Sequence, residues 1–297
     1  VNQEANSSAA QLARTEQRHP SSTTLGQMGV GDVIALMESE EHVVLEALIH
    51  AHDALARVAL AVAHSYLHGG RTVFLGAGTP GLLVIQEVSE LPATFGVSAS
   101  QFIAFVASRA QVGPAAIAGT EDSTHEIREK LAAMHIGPSD TVIGIASSGR
   151  TPFVVAGLQA ATAAGAWTCG IANNPNTPVL QVSTTEVLLD TGSELLTGST
   201  RLKAGTAQKI ALNRITTAAM VHAGRVRSNH MVEMRATNIK LRERAIRILE
   251  DLLDMPADTA IRLLQSCDWH VGEALRANMH PAADLTSAED AVVRRAN

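Results

Sequence analysis

Aromatic side chains are scarce in this sequence, at 3% of its 297 residues. The core must therefore be assembled mainly from Ala, Val, Leu and Ile, as in a helix-covered parallel sheet. Cysteine is almost absent as well. Cys169 and Cys267 stand far apart and support neither a disulfide framework nor a thiolate zinc site, and the histidines are not read as a metal site. There is no excess of basic charge. Twenty-three Lys and Arg face 29 Asp and Glu, a formal charge of −6, which argues against a nucleic-acid partner. No apolar run of about 18 residues occurs, and no apolar signal core follows the polar first residues. A cytoplasmic protein with no membrane partner is expected.

The first 26 residues are rich in Ser, Thr, Gln and Asn and read as an arm. Together with a short helix opening at Gly31-Asp32, they form a leading segment to about residue 40. Val44, Ala47, Leu48, Ala51, Leu55, Val58, Ala59 and Val62 then keep a three-and-four spacing. That spacing predicts one long amphipathic helix over roughly 41–68, stopped by Gly69-Gly70. Beyond it, short β-rich runs at 72–75, 102–106, 141–146, 167–172 and 187–189 alternate with helical stretches at about 81–90, 121–135, 152–164 and 204–223. This alternation predicts an α/β domain over 41–230, a parallel sheet flanked by helices. Charged helical sequence resumes at about 230–254. Pro256 breaks it, and 257–266, 269–277 and 287–295 read as three short helices, placing a small helical domain at 240–297.

In such sheets a ligand sits beyond the carboxyl ends of the strands. Three segments there carry chemistry: 76–81, 147–151 and 197–208. Gly76-Ala-Gly78-Thr-Pro-Gly81 satisfies the G-x-G-x-x-G pattern, and Arg109 could then serve a 2′-phosphate, but the acidic ribose ligand of a dinucleotide fold is missing. Backbone N–H groups at a helix start bind any phosphate. Ser147-Ser148-Gly149-Arg150-Thr151, between a buried strand and a helix opened by Pro152, brings three hydroxyls to one helix N-terminus. One hydroxyl would be an ordinary cap; three in five residues point to a phosphate cradle.

At these residues the chain resembles the N-acetylmuramic acid 6-phosphate etherases, a branch of the sugar isomerase (SIS) superfamily to which glucokinase regulatory protein is also related. The resemblance runs from about residue 15 to 280. It is carried by Thr15-Glu16-Gln17-Arg18, by Leu75–Thr79, by Ser89-Glu90 with Pro92, Thr94 and Gly96, by Glu121-Asp122-Ser123, by Ala146–Pro152 and, most specifically, by Thr197–Lys209. It implies a SIS-type sheet followed by a three-helix bundle of ubiquitin-associated type. The implied reaction is a lyase cleavage of the lactyl ether, giving N-acetylglucosamine 6-phosphate and D-lactate without metal or organic cofactor. Glu90 would protonate the departing lactate oxygen and Glu121 would handle the carbon 2 proton. Thr79, Glu87, Ser147, Ser148, Gly149, Thr151, Ser199, Arg201 and Lys203 would bind the phosphorylated amino sugar, in a homodimer with its sites near the interface.

The chain departs from the family pattern around these positions. Thr79-Pro80-Gly81-Leu82 replaces a loop that ordinarily carries a further hydroxyl and a guanidinium. Ala107-Ser108-Arg109 replaces Ala-Gly-Gly, and Glu87 stands where Asp is usual. Two other functions fit the same residues: a non-catalytic sugar-phosphate sensor, and a paralogue or isomerase acting on a related phosphosugar.

Overall fold

Five short apolar strands form the centre of the protein, the inner three buried at almost every position and the two edge strands only in part. The computed structural model describes residues 12–107 and 122–279. The strands are β1 (Thr72–Gly76), β2 (Phe102–Val106), β3 (Thr141–Ala146), β4 (Trp167–Ala172) and β5 (Thr185–Leu188), all parallel, in the order β2-β1-β3-β4-β5. Val73, Leu75, Val142 and Phe153 are among the fully buried residues of the main core. β3 is buried at every position, as expected of a strand covered on both faces.

The long helix predicted over 41–68 is two helices. α1 (Val30–His50) starts eleven residues earlier, and α2 (His52–Leu67) follows after Ala51, which has non-helical φ −84° and ψ 2°. The apolar spacing runs through the break because Ala47, Leu48, Ala51 and Leu55 are all buried. A continuous stripe thus hides the break between the two helices. The remaining helices of this part are α3 (Thr79–Phe95), α4 (Thr124–Ala133), α5 (Pro152–Ala163), α6 (Pro178–Gln181) and α7 (Lys203–His222). α2 and α7 pack together, as do α4 and α5.

Asp140 ties the edge of β3 to the chain entering β1. Its carboxylate accepts from Arg71 N–H, Nε and Nη2 at 2.9, 3.0 and 2.8 Å and from Gly137 N–H at 3.0 Å. Burial alone would raise the Asp140 pKa, but these donors outweigh it and hold the group below the usual carboxylate value.

By contact the chain divides into two units, the described parts of Val1–Glu90 with Ser98–Ala223 and of Leu91–Val97 with Gly224–Asn297. The second unit therefore includes the end of α3, which composition does not reveal. Gly96, at φ +64°, lies so close to the Glu233 backbone that a Cβ would fall 2.2 Å from its carbonyl oxygen. This unit contains a two-stranded ribbon, β6 (Val226–Arg227) and β7 (His230–Met231), then α8 (Ile239–Leu253), α9 (Ala257–Ser266) and α10 (Val271–Met279). Ala245, Leu249, Leu264 and Val271 are fully buried in its core. The third short helix expected at 287–295 lies outside the described residues.

Candidate active site

The strand order places the crevice. β1 leads through α3 to β2 on one side, and β3 leads through α5 to β4 on the other, so the chain diverges above the β1–β3 pair. Gly76 pairs with Ile145, so the turn after β1 and the turn after β3 rise side by side at this switch point. The start of α7 joins them. A Cβ on Gly205 would lie 3.2 Å from Thr79 Cγ2, and Gln208 Nε2 donates to Ser147 Oγ at 2.9 Å. The three segments singled out from sequence are therefore brought together.

Gly149 shapes the second turn. Its φ is +68°, and a Cβ there would meet Thr177 Oγ1 at 2.2 Å, so only glycine fits without strain. Ser147 is buried, while Ser148 and Thr151 are half-buried. Arg150 N–H donates to Ser148 Oγ at 3.2 Å, just as Gln208 donates to Ser147. A hydroxyl oxygen that accepts from a protein N–H still has its own proton to donate. Thr151 stands at the N-cap of α5 without closing a side-chain cap bond, and Pro152 follows it.

Asn173, Asn174 and Thr15, which hydrophobic patterning leaves unmarked, hold this turn from below. Ser147 C=O accepts from Asn173 N–H at 3.1 Å and from Asn174 Nδ2 at 2.9 Å. Asn174 also donates to Thr15 Oγ1 at 3.0 Å and accepts from Thr15 N–H at 3.3 Å. Thr15 C=O accepts from Gly198 N–H at 3.2 Å, and Arg14 pairs with Asp190. The supposed arm is thus anchored from Arg14 onward. Only its polar composition suggested otherwise.

The remaining predicted residues take other places. Lys203 Nζ lies 2.6 Å from Glu40 Oε2, which His19 Nε2 also approaches at 3.1 Å. Burial raises the Glu40 pKa, but Lys203 and His19 outweigh that and the net shift is downward. Lys203 N–H and Ala204 N–H donate to the fully buried Glu194 at 3.1 and 2.9 Å, capping α7. Burial pushes the Glu194 pKa up in spite of these bonds. Arg201 is exposed and makes no polar pairing among the described residues. With Lys203, Glu194, Leu45 and Leu202 it lines a cavity of about 610 Å³ between α1 and the start of α7. Ser199 is half-buried in the preceding turn.

Glu87 has both oxygens engaged within the fold. Lys209 Nζ lies 2.7 Å from Oε2, and Thr216 Oγ1 donates to Oε1 at 2.6 Å, so Glu87 fastens α3 to α7. Glu90 is exposed on α3, with Gln86 Nε2 3.3 Å from its Oε1. Pro80 falls in the first turn of α3, where a missing N–H costs little, and Leu82 is exposed. Glu121, Ser108 and Arg109 lie outside the described residues. Two histidine spacings suited to a metal exist, His50-Ala-His52 and His64–His68, and the latter two rings stack at 4.0 Å. No group of three potential metal ligands occurs among the described residues.

No protein-family model matches the chain. Among curated proteins it is 40% identical over 261 residues to the N-acetylmuramic acid 6-phosphate etherase of Geobacillus sp. (strain WCH70), covering 88% of each chain. It is 39% identical over 285 residues to that of Exiguobacterium sp. (strain ATCC BAA-1283 / AT1b), covering 95% of this chain and 96% of the other. A solved structure from Bacteroides fragilis NCTC 9343, described as a phosphosugar isomerase involved in capsule formation, shares the fold. Its TM-score is 0.53 at 17% identity, over 67% of this chain and 94% of that one. On fold and sequence together, the chain belongs to the N-acetylmuramic acid 6-phosphate etherase family.

Proposed function

We infer that this protein is a carbon–oxygen lyase that cleaves the lactyl ether of N-acetylmuramic acid 6-phosphate, yielding N-acetylglucosamine 6-phosphate and D-lactate. Beside the family membership, one observation carries this reading. At the switch point, Ser147 and Ser148 each have an oxygen already accepting from a protein N–H. They therefore present protons to a ligand that can only accept, such as a phosphate. Ser147, Ser148 and Thr151, with Gly149 and the start of α5, form the phosphate cradle, and Thr79 borders it from the neighbouring turn.

The phosphate anchors a ring-opened sugar whose aldehyde acidifies carbon 2. Glu121 removes that proton, the carbon 3–oxygen bond breaks, and Glu90 protonates the departing lactate oxygen. Water then adds across the carbon 2–carbon 3 double bond. Of the two cations near the start of α7, Lys203 is already matched by Glu40. Arg201, with a planar fork suited to carboxylates, is the better escort for the lactyl carboxylate, and Ser199 stands in the same turn. Incubation with N-acetylmuramic acid 6-phosphate is expected to release D-lactate stoichiometrically with N-acetylglucosamine 6-phosphate. Absence of lactate with a well-folded protein would remove the assignment.

The protein is read as a cytoplasmic homodimer. Glu90 lies about 16 Å along α3 from Thr79, at about 1.5 Å per residue, on a helix that also exposes Leu82 and Ile85. A second copy packed there would cover those apolar side chains and bring each Glu90 toward an interface shared by both sites. Sedimentation at micromolar concentration is expected to give a dimer; a monomer alone would confine each site to one chain. Domain limits of 41–230 for the sugar-phosphate domain and 240–297 for a C-terminal cap of ubiquitin-associated type complete the reading.

A further inference from the structure

Asn173 and Gln208 are both fully buried side-chain amides, and the chemistry above assigns them no task. A buried amide can face either way, so what fixes it carries information. At Asn173 the backbone decides. Its Nδ2 donates to Leu189 C=O at 2.8 Å, an atom that can only accept, and reaches Thr191 Oγ1 at 3.2 Å. Oδ1 must then face Gln208, and only an N–H satisfies it there. Gln208 Nε2 lies 2.8 Å from it. The same nitrogen sits 2.9 Å from Ser147 Oγ. Hydrogen-bond direction is therefore set step by step, from the Leu189 carbonyl through two amides to the Ser147 oxygen.

We propose that Gln208, oriented by Asn173, is a positioning residue that makes Ser147 a donor toward the crevice and so gives the site its preference for an acceptor-only phosphoryl group over a hydroxyl. The proposal rests on the reading that phosphate occupies the Ser147–Thr151 turn. Without Gln208 the Ser147 hydroxyl can rotate, accepting from a sugar hydroxyl or water as easily as it donates. Discrimination then falls even though the hydroxyl remains. With a carboxylate in place of the amide, the Ser147 proton turns inward and a negative charge is added beside the phosphate.

The test measures binding of N-acetylglucosamine 6-phosphate and of N-acetylglucosamine by calorimetry, on the full chain, with a melting curve for each variant. Ser147→Ala and Gln208→Met are each expected to weaken phosphosugar binding about ten- to a hundred-fold, as for one lost bond to a charged group, while the unphosphorylated sugar binds as before. The double variant is expected to bind no worse than Ser147→Ala, because Gln208 acts through that hydroxyl. Relative to the parent protein at each pH, Gln208→Glu is expected to recover affinity in part as the pH falls, since protonation removes the added charge. Its single carboxyl proton has to serve both Ser147 Oγ and Asn173 Oδ1, which the two amide protons of Gln208 serve together. Unchanged phosphosugar affinity in Ser147→Ala would overturn the phosphate assignment itself. If Ser147→Ala weakens binding but the double variant loses a further ten-fold, or Gln208→Glu shows no recovery, the relay fails and the phosphate assignment stands. Should Gln208→Met not fold, Gln208→Leu takes its place in the double-variant comparison.

Discussion

Glu121→Gln is expected to abolish both lactate release and solvent-deuterium incorporation at carbon 2, while Glu90→Gln keeps the exchange and loses the cleavage. The amide is nearly isosteric with the carboxyl group but can neither take a proton from carbon 2 nor give one to the leaving oxygen. Each loss should be about 10²- to 10⁴-fold in rate, the usual contribution of a positioned general acid or base. The two variants differ because they stall the reaction at different points. Without the base no carbanion forms, so nothing exchanges. Without the acid the carbanion forms and is reprotonated from solvent, but lactate cannot depart readily. Phosphosugar affinity should stay near that of the parent in both, since neither carboxylate is assigned to the cradle. Normal cleavage in either variant would strike that residue from the mechanism, and the opposite exchange pattern would reverse the roles.

Gly149→Ala is the substitution in the cradle expected to cost most. The left-handed backbone at φ +68° disfavours any Cβ by about 1–2 kcal/mol. Here the added carbon would also fall 2.2 Å from Thr177 Oγ1, on a residue that is itself buried. Gly149 C=O accepts from Val179 N–H at 3.0 Å and its N–H donates to Ala146 C=O at 2.9 Å. The turn therefore cannot yield without disturbing both β3 and α6. A loss of about 3 kcal/mol is expected, with a fall in Tm of roughly 6–12 °C. Gly192→Ala is the matched control, because Gly192 has φ +65° but nothing within 4 Å of its Cβ position. It should lose only the backbone part, about 1 kcal/mol. Equal melting points for the two variants would mean that the contact with Thr177 is relieved at no cost.

How far the sequence could be read depends on which physical signal each feature leaves there. β3 and β4 were legible to the residue because a strand buried on both faces is an unbroken apolar run between turn residues. The three turns that meet at the switch point were legible because glycine and hydroxyl residues stand directly after those runs. The break at Ala51 was not, since burial continued through it and an alanine is neutral to either conformation. The anchoring of Thr15 and His19 was invisible for a different reason. A polar residue that pairs with a distant polar residue, as Thr15 does with Asn174 and His19 with Glu40, has the same composition as a solvated one. Glu87 shows the same limit from the other side. Its family position suggested a ligand contact, and only the placement of Lys209 and Thr216 shows that both its oxygens are already engaged.

The segment from Leu12 to His19 behaves thermodynamically as a tethered peptide ligand of the protein it belongs to. Thr15 bonds to Asn174 and Gly198, Arg14 to Asp190, and His19 to Glu40, and each of those partners lies in or beside the segments that form the crevice. Held by a short connection to α1, such a peptide is present at an effective concentration of order millimolar. A chain shortened to begin after His19 would leave Glu40 with Lys203 alone and Asn174 Oδ1 without its donor, and a synthetic peptide of the missing residues would have to approach that concentration to restore them. Complementation in trans is therefore expected only at a concentration that the intact chain supplies to itself.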